Sequence, residues 1–90
     1  MKMRRKINFT GRVQGVGFRW NTKEAVRDFR VTGYVKNLSD GTVELLLEGE
    51  KEDLSRAQKA VEEKMRGYWT SREWIDLPTD PHWEEFCIRY

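Results

Sequence analysis

The amino-acid sequence predicts an α+β sandwich in the chain order βαββαβ, a mixed and mainly antiparallel sheet with two helices on one face. Three observations predict it. Several short segments alternate apolar and polar residues at the period of a half-buried strand, two segments carry apolar residues at three-to-four spacing, and no linker, repeat or low-complexity stretch breaks the succession. The ninety residues therefore read as one domain spanning 1–90, below the ~100 to 200 residues usually allotted to a domain.

Each element follows from its pattern. Lys6–Val13 sets Ile7, Phe9, Gly11 and Val13 against Asn8, Thr10 and Arg12, which predicts the first strand. A glycine-bearing turn over Gln14–Phe18 leads into Phe18, Thr22, Ala25, Val26 and Phe29 at helical spacing, with Lys23, Glu24, Arg27 and Asp28 opposite, so the first helix is expected to run to about Arg30. Val31–Leu38 is rich in β-formers, Ser39-Asp40-Gly41 signals a turn, and Thr42–Gly49 aligns Val43, Leu45 and Leu47 on one face, which together predict a hairpin. Leu54, Ala57, Val61 and Met65 form the stripe of a second helix over Glu50–Met65, with acidic residues early and Gly67 just past the end. Trp69–Leu77 reads as a strand bounded by Pro78. A loop containing Pro81 then leads to a last strand over Glu85–Tyr90, where Phe86, Ile88 and Tyr90 alternate with Cys87 and Arg89. This order, with one extra strand pairing at the end, is that of a ferredoxin-like fold.

Composition narrows the function. Charged residues make up 36% of the chain, yet seventeen basic against fifteen acidic residues leave a net charge of only +2, so no dominant field demands a nucleic acid partner. Lys2, Arg4, Arg5 and Lys6 crowd the start and read as a solvated tail ahead of the first strand. Cys87 is the single cysteine, which rules out an intramolecular disulfide and every zinc pattern needing two thiolates; it is expected to pack as a small buried hydrophobe in a cytoplasmic protein. His82 stands alone beside prolyl loop chemistry. The longest apolar run, Leu45–Leu47, is far below the ~20 residues of a membrane helix, so no membrane is expected.

The most informative stretch is Gly11-Arg12-Val13-Gln14-Gly15-Val16-Gly17-Phe18-Arg19, which joins a strand to a helix through backbone that glycines leave uncovered. Unsatisfied N–H groups at a helix N-terminus and the helix dipole both favour an anion there. Arg19 in the first turn opposes that dipole, an arrangement that gains sense if a ligand supplies the counter-charge. A glycine-rich turn with a surface arginine is the alternative, and pattern alone stops at anion binding. A dinucleotide fingerprint would need glycine at Trp20 and a P-loop would need Gly-Lys-Ser or Gly-Lys-Thr, so neither applies. An RNA-recognition sheet is also set aside, because the third strand carries no aromatic residue. In a second stretch, Gly33-Tyr34-Val35-Lys36-Asn37-Leu38-Ser39-Asp40-Gly41, the amide of Asn37 either serves the turn or holds a water while donating to an oxyanion.

Together the two stretches resemble the acylphosphatase family, whose Val-Gln-Gly-Val-x-Phe-Arg loop and Gly-aromatic-Val-x-Asn segment stand here as Val13–Arg19 and Gly33–Asn37. The Asp40-Gly41-Thr42-Val43 continuation, the second helix and the closing Phe86-Cys87-Ile88-Arg89-Tyr90 extend the likeness along the chain. The resemblance implies a metal-independent hydrolase without cofactor that cleaves small acyl phosphates to a carboxylate and inorganic phosphate, the latter also an inhibitor. It makes Arg19 the phosphate-binding catalytic arginine, gives the cradle to the amides of Gln14, Gly15, Val16, Gly17, Phe18 and Arg19, and has Asn37 orient the attacking water. A monomer is expected, since no long apolar surface stripe remains once helices and sheet are paired. The rival reading is a non-catalytic phosphate-binding module, or the front part of a larger carbamoyl-transfer maturation protein, which would continue into Cys-rich zinc segments.

Two departures from the family pattern carry structural expectations. Arg30 stands where glycine usually follows the first helix, and a left-handed cap at a non-glycine residue costs roughly 1 to 2 kcal/mol, so this helix is expected to close without one. Beyond the second helix, Arg66-Gly67-Tyr68 replaces a common Gly-Pro.

Overall fold

Strand β1 (Lys2–Gly11) begins at Lys2 rather than at Lys6, so the basic start is no tail. The reason lies in its neighbours. β1 is flanked by β3 (Val43–Glu50) and β4 (Trp69–Pro78), both antiparallel to it, and the basic residues meet carboxylates across the sheet. Arg4 donates from Nε and Nη2 to Glu48 Oε2 at 2.9 and 2.8 Å, Lys6 lies 3.3 Å from Glu44, and Lys2 lies 3.7 Å from Glu50. Arg5 points to the opposite, inner face and is only 5% exposed. Its guanidinium grips Asp76 through two bonds of 2.7 and 2.9 Å and donates to Gln58 Oε1 at 2.9 Å, which satisfies a charge that burial alone would make costly. That pairing holds the Asp76 carboxyl below its usual range.

The computed structural model describes residues 2–79 and 82–90; Pro81 of the last loop lies outside them. The remaining elements are α1 (Phe18–Val26), β2 (Thr32–Asn37), α2 (Lys51–Lys64) and β5 (Phe86–Arg89). The five strands form one sheet in the order β4-β1-β3-β2-β5, antiparallel except for β5, which runs parallel to β2 at the edge. Both helices cover one face, as the ferredoxin-like order predicts. Ile7, Phe9, Val35, Val43, Leu45 and Leu47 of the sheet are fully buried against Phe18 and Val26 of α1 and Leu54, Ala57 and Val61 of α2. Each of these side chains larger than that of Ala57 contributes about 1.5 to 3 kcal/mol relative to exposure.

Helix α1 stops at Val26, short of Arg30, although Phe29 still packs against the core. Reverse turns replace its last turn: Phe29 N–H donates to Val26 O at 3.0 Å and Val31 N–H to Phe29 O at 2.9 Å. No described residue other than glycine has positive φ, so the helix closes without a left-handed Arg30. Cys87 also differs from its expectation. It is half-buried on the outer face of the sheet, opposite Tyr34, with Sγ 3.8 Å from Gly33 O, while Phe86 and Ile88 take the inner positions.

That outer face is held by Glu48, whose side chain is fully buried. Besides Arg4, it accepts the backbone N–H of His82 at 2.6 Å and of Trp83 at 3.1 Å, and so anchors the segment leading into β5. Trp83 in turn packs edge-on against Tyr34, and Arg89 lies over both rings. Burial, followed by the hydrogen bond to Glu44, pushes the Tyr34 phenol up to about 12. At Glu48 burial acts to raise the carboxyl pKa, but the His82 amide, Arg4 and the Trp83 amide outweigh it and hold the group below 4.5. A depressed folded value stabilises the fold above the unfolded pKa, and the contribution disappears as pH falls through the folded value. Glu48→Gln should therefore lower stability at neutral pH by about 1 to 3 kcal/mol, and the gap to the wild type should narrow in acid. Urea titrations at both pH values read this directly, and an equal deficit in acid would contradict it.

Candidate active site

The turn between β1 and α1 has to reverse direction within a few residues, and Gly15 (φ 75°) and Gly17 (φ 79°) supply the left-handed backbone for it. Gly17 is also the residue that caps α1, and having no side chain it gives nothing to the helix's first N–H groups. No acidic residue stands in the first turn either. Among the described residues, no backbone N–H from Gln14 to Arg19 donates a hydrogen bond to another group. The turn is nevertheless firmly seated. Arg12 N–H donates to Tyr68 O at 2.8 Å at one end, and at the other the buried Phe18 ring packs 5.2 Å from Phe9.

Part of this turn borders a cavity of about 210 Å³. Gly15, Gly17, Phe18 and Arg19 line it, whereas Gln14 and Val16 do not; Val16 packs against the core. Arg19 is half-buried, its guanidinium carbon lies 4.5 Å from the Tyr90 ring centre, and Nη1 donates to Arg89 O at 3.4 Å. Among the described residues it has no carboxylate partner. Asn37, the last residue of β2, lines the same cavity, and its Oδ1 is buried without a hydrogen-bond partner. An orphaned acceptor costs on the order of 1 to 3 kcal/mol, which marks a position that stability alone does not explain. The structure thus brings Arg19 and Asn37 to one cavity although eighteen residues separate them in the chain.

Three contributions were not visible in the sequence. The first is the side chain of Gln14, whose Nε2 donates to Leu38 O at 2.8 Å and to Thr42 O at 2.9 Å, tying the glycine loop to the β2–β3 turn just beyond Asn37. The second is β5. Its parallel register sets Val35 opposite Ile88 and Lys36 opposite Arg89, so Ile88 and Tyr90 arrive at the end of β2 that bears Asn37, and both line the cavity. The third is Trp20, in the first turn of α1, a lining residue that is 61% exposed. Asp40 does not line the cavity; its Oδ1 accepts from Thr42 Oγ1 at 2.6 Å and Thr42 N–H at 3.0 Å, and those bonds lower its pKa and bind it to the turn. Among the described residues, the lining side chains are a guanidinium, a carboxamide and apolar or aromatic groups, with no carboxylate, imidazole or thiol side chain.

The family model described as acylphosphatase matches residues 5–88. An acylphosphatase of Thermococcus kodakarensis is 49% identical over 51 residues, which span 57% of this chain and 56% of that relative; the match thus covers about half the length of each. Among solved structures, an acylphosphatase from Bacillus subtilis superimposes with a TM-score of 0.89 at 31% identity, covering 98% of this chain and 99% of that one. A full-length HypF in a phosphate- and nucleotide-bound form superimposes with a TM-score of 0.82 at 26% identity, and there the likeness takes up 12% of the larger chain. The same fold therefore serves both as most of a small protein and as a fraction of a large one. The Val13–Arg19 loop, the Gly33–Asn37 strand and all of the sheet but residues 2–4 and 89 fall within the matched span, and the chain belongs to the acylphosphatase family.

Proposed function

We propose that the chain hydrolyses acyl phosphates, R–CO–O–PO₃²⁻ + H₂O → R–COO⁻ + H₂PO₄⁻, with the phosphoryl group held at the N-terminus of α1. One observation carries this reading: an arginine without counter-charge, a run of unpartnered amides and an unpaired carboxamide oxygen share one cavity. In the proposed division of labour, the N–H groups of Gln14–Arg19 and the Arg19 guanidinium meet the phosphoryl oxygens. An Arg–phosphate pair at ~4 Å in an effective dielectric near 20 is worth roughly 4 kcal/mol. Asn37 accepts a hydrogen bond from the attacking water through Oδ1.

The departing group is a carboxylate, which needs little help from an acid, so positioning and charge stabilisation supply most of the catalysis. With Asp40 committed to its turn, the proton of the water passes to a phosphoryl oxygen of the substrate. In this reading Arg19, which lines the cavity, supplies the positive charge that a metal would otherwise bring. The rival, a non-catalytic anion-binding module, accounts for Arg19 and the amides but gives no use for an unpaired acceptor, since an anion seeks donors. The lone thiol suits a reducing cytoplasm, and we place the protein there as a monomer acting on small molecules.

Arg19→Ala should abolish both phosphate inhibition and most turnover of benzoyl phosphate. Asn37→Ala should keep the inhibition constant and lower kcat by about 100-fold or more; loss of phosphate affinity in this variant would refute the division of labour, and no turnover by the wild type would favour the binding module. Gln14→Leu removes both bonds between the loop and the β2–β3 turn, and should lower kcat at least about tenfold with a smaller change in KM. An unchanged kcat would show that the two loops hold their spacing without it. Chelation with EDTA should leave turnover unchanged, and recovery by Mg²⁺ after a loss would overturn the metal-free chemistry.

A further inference from the structure

A phosphoryl group seated on the α1 amides must point its acyl substituent away from them, toward the mouth of the cavity. Two of the side chains that line the cavity are largely open to solvent: Trp20 at 61% and Tyr90 at 92% exposure. The other large apolar side chains of comparable exposure, Trp74, Ile75 and Leu77, all lie on β4. Tyr90 has one occupation already, since Arg19 stacks on its ring. Trp20 has none. It is absent from the side chains packed around the core, its ring meets no other ring, and its indole N–H donates to no described group. Its place in the helix next to Arg19 nonetheless puts it on the cavity wall.

Apart from Arg19, which faces the phosphoryl group, no charged side chain among the described residues lines the cavity, so none of them would reward a charged acyl group. An open indole rewards a flat apolar one. We propose that Trp20, with Tyr90 beside it, is the seat of the acyl group, and that it selects acyl phosphates with an aromatic or broad apolar acyl part over acetyl phosphate. This assignment rests on the acyl phosphate reading above. It makes Trp20 a specificity-determining residue, and leaves the phosphoryl chemistry with Arg19, Asn37 and the loop amides.

The test compares two substrates and two non-hydrolysable analogues in wild type, Trp20→Ala and Trp20→Phe. Steady-state kinetics with benzoyl phosphate and acetyl phosphate give one selectivity ratio, and calorimetric Kd values for phenacylphosphonate and acetonylphosphonate give a second that needs no turnover. The wild type should prefer the aromatic member of each pair by about tenfold or more, a difference of the size one aromatic contact provides. Trp20→Ala should bring both ratios close to one, and Trp20→Phe should keep most of them. Equal ratios in wild type and Trp20→Ala, or no preference in the wild type, would overturn the assignment. If the wild type hydrolyses neither acyl phosphate, the proposed reaction fails, while the two phosphonate Kd values still decide whether Trp20 seats the acyl group.

Discussion

The spacing between the two halves of the cavity depends on a single carboxamide. The loop before α1 and the turn after β2 are both irregular, and neither would by itself hold its partner at a fixed distance. The turn is internally tight, with Leu38 N–H donating to Thr42 O at 2.9 Å and Asp40 accepting twice from Thr42. Onto that rigid turn the NH₂ group of Gln14 fastens the loop, through two carbonyls at once. Only a side chain with two donors on one nitrogen and this reach can do so. Arg19 then follows from the loop and Asn37 from the strand that the turn ends, so their relation rests on a side chain that is directed at the turn's carbonyls.

The dense ionic composition has a related logic. Arg4, Arg5, Lys6 and Arg72 find carboxylates across strands or against α2, and Arg27 and Arg66 find them three residues away along the chain. Exposed pairs of this kind contribute little each, and among the described residues ten of the seventeen cations, Arg19 included, have no such pair. What sets Arg19 apart is its place: in the first turn of α1 its charge adds to the positive end of the helix, a local concentration that the near-neutral total conceals.

Most of the fold was legible because periodicity reports burial. The two helical stripes and the hairpin faces lie where the spacing of Phe18, Val26, Leu54, Val61, Val43 and Leu47 puts them. The failures have physical causes. Arg5 sits at an inward position of β1, and its partners Asp76 and Gln58 are too far along the chain for any local pattern to show. Phe29 keeps the helical spacing and still reaches the core, yet the hydrogen bonds of α1 end at Val26, so periodicity overran the helix. At the cavity, Arg19 and Asn37 were legible through motifs that carry their own geometry. Ile88 and Tyr90 were not, because their place depends on where β5 docks, which is a matter of tertiary register, and Trp20, on α1, stands just past the loop motif.

The bond from Arg19 to Arg89 spans seventy residues. During synthesis, the glycine loop and α1 leave the ribosome long before the strand that walls the cavity can dock beside β2. At ~5 to 20 residues per second, the loop with its bare amides waits for seconds with one side open to the solvent. Closure of the site thus trails the synthesis of its loop by about seventy residues, and a fragment stalled before β5 would expose the anion-seeking loop without its aromatic wall.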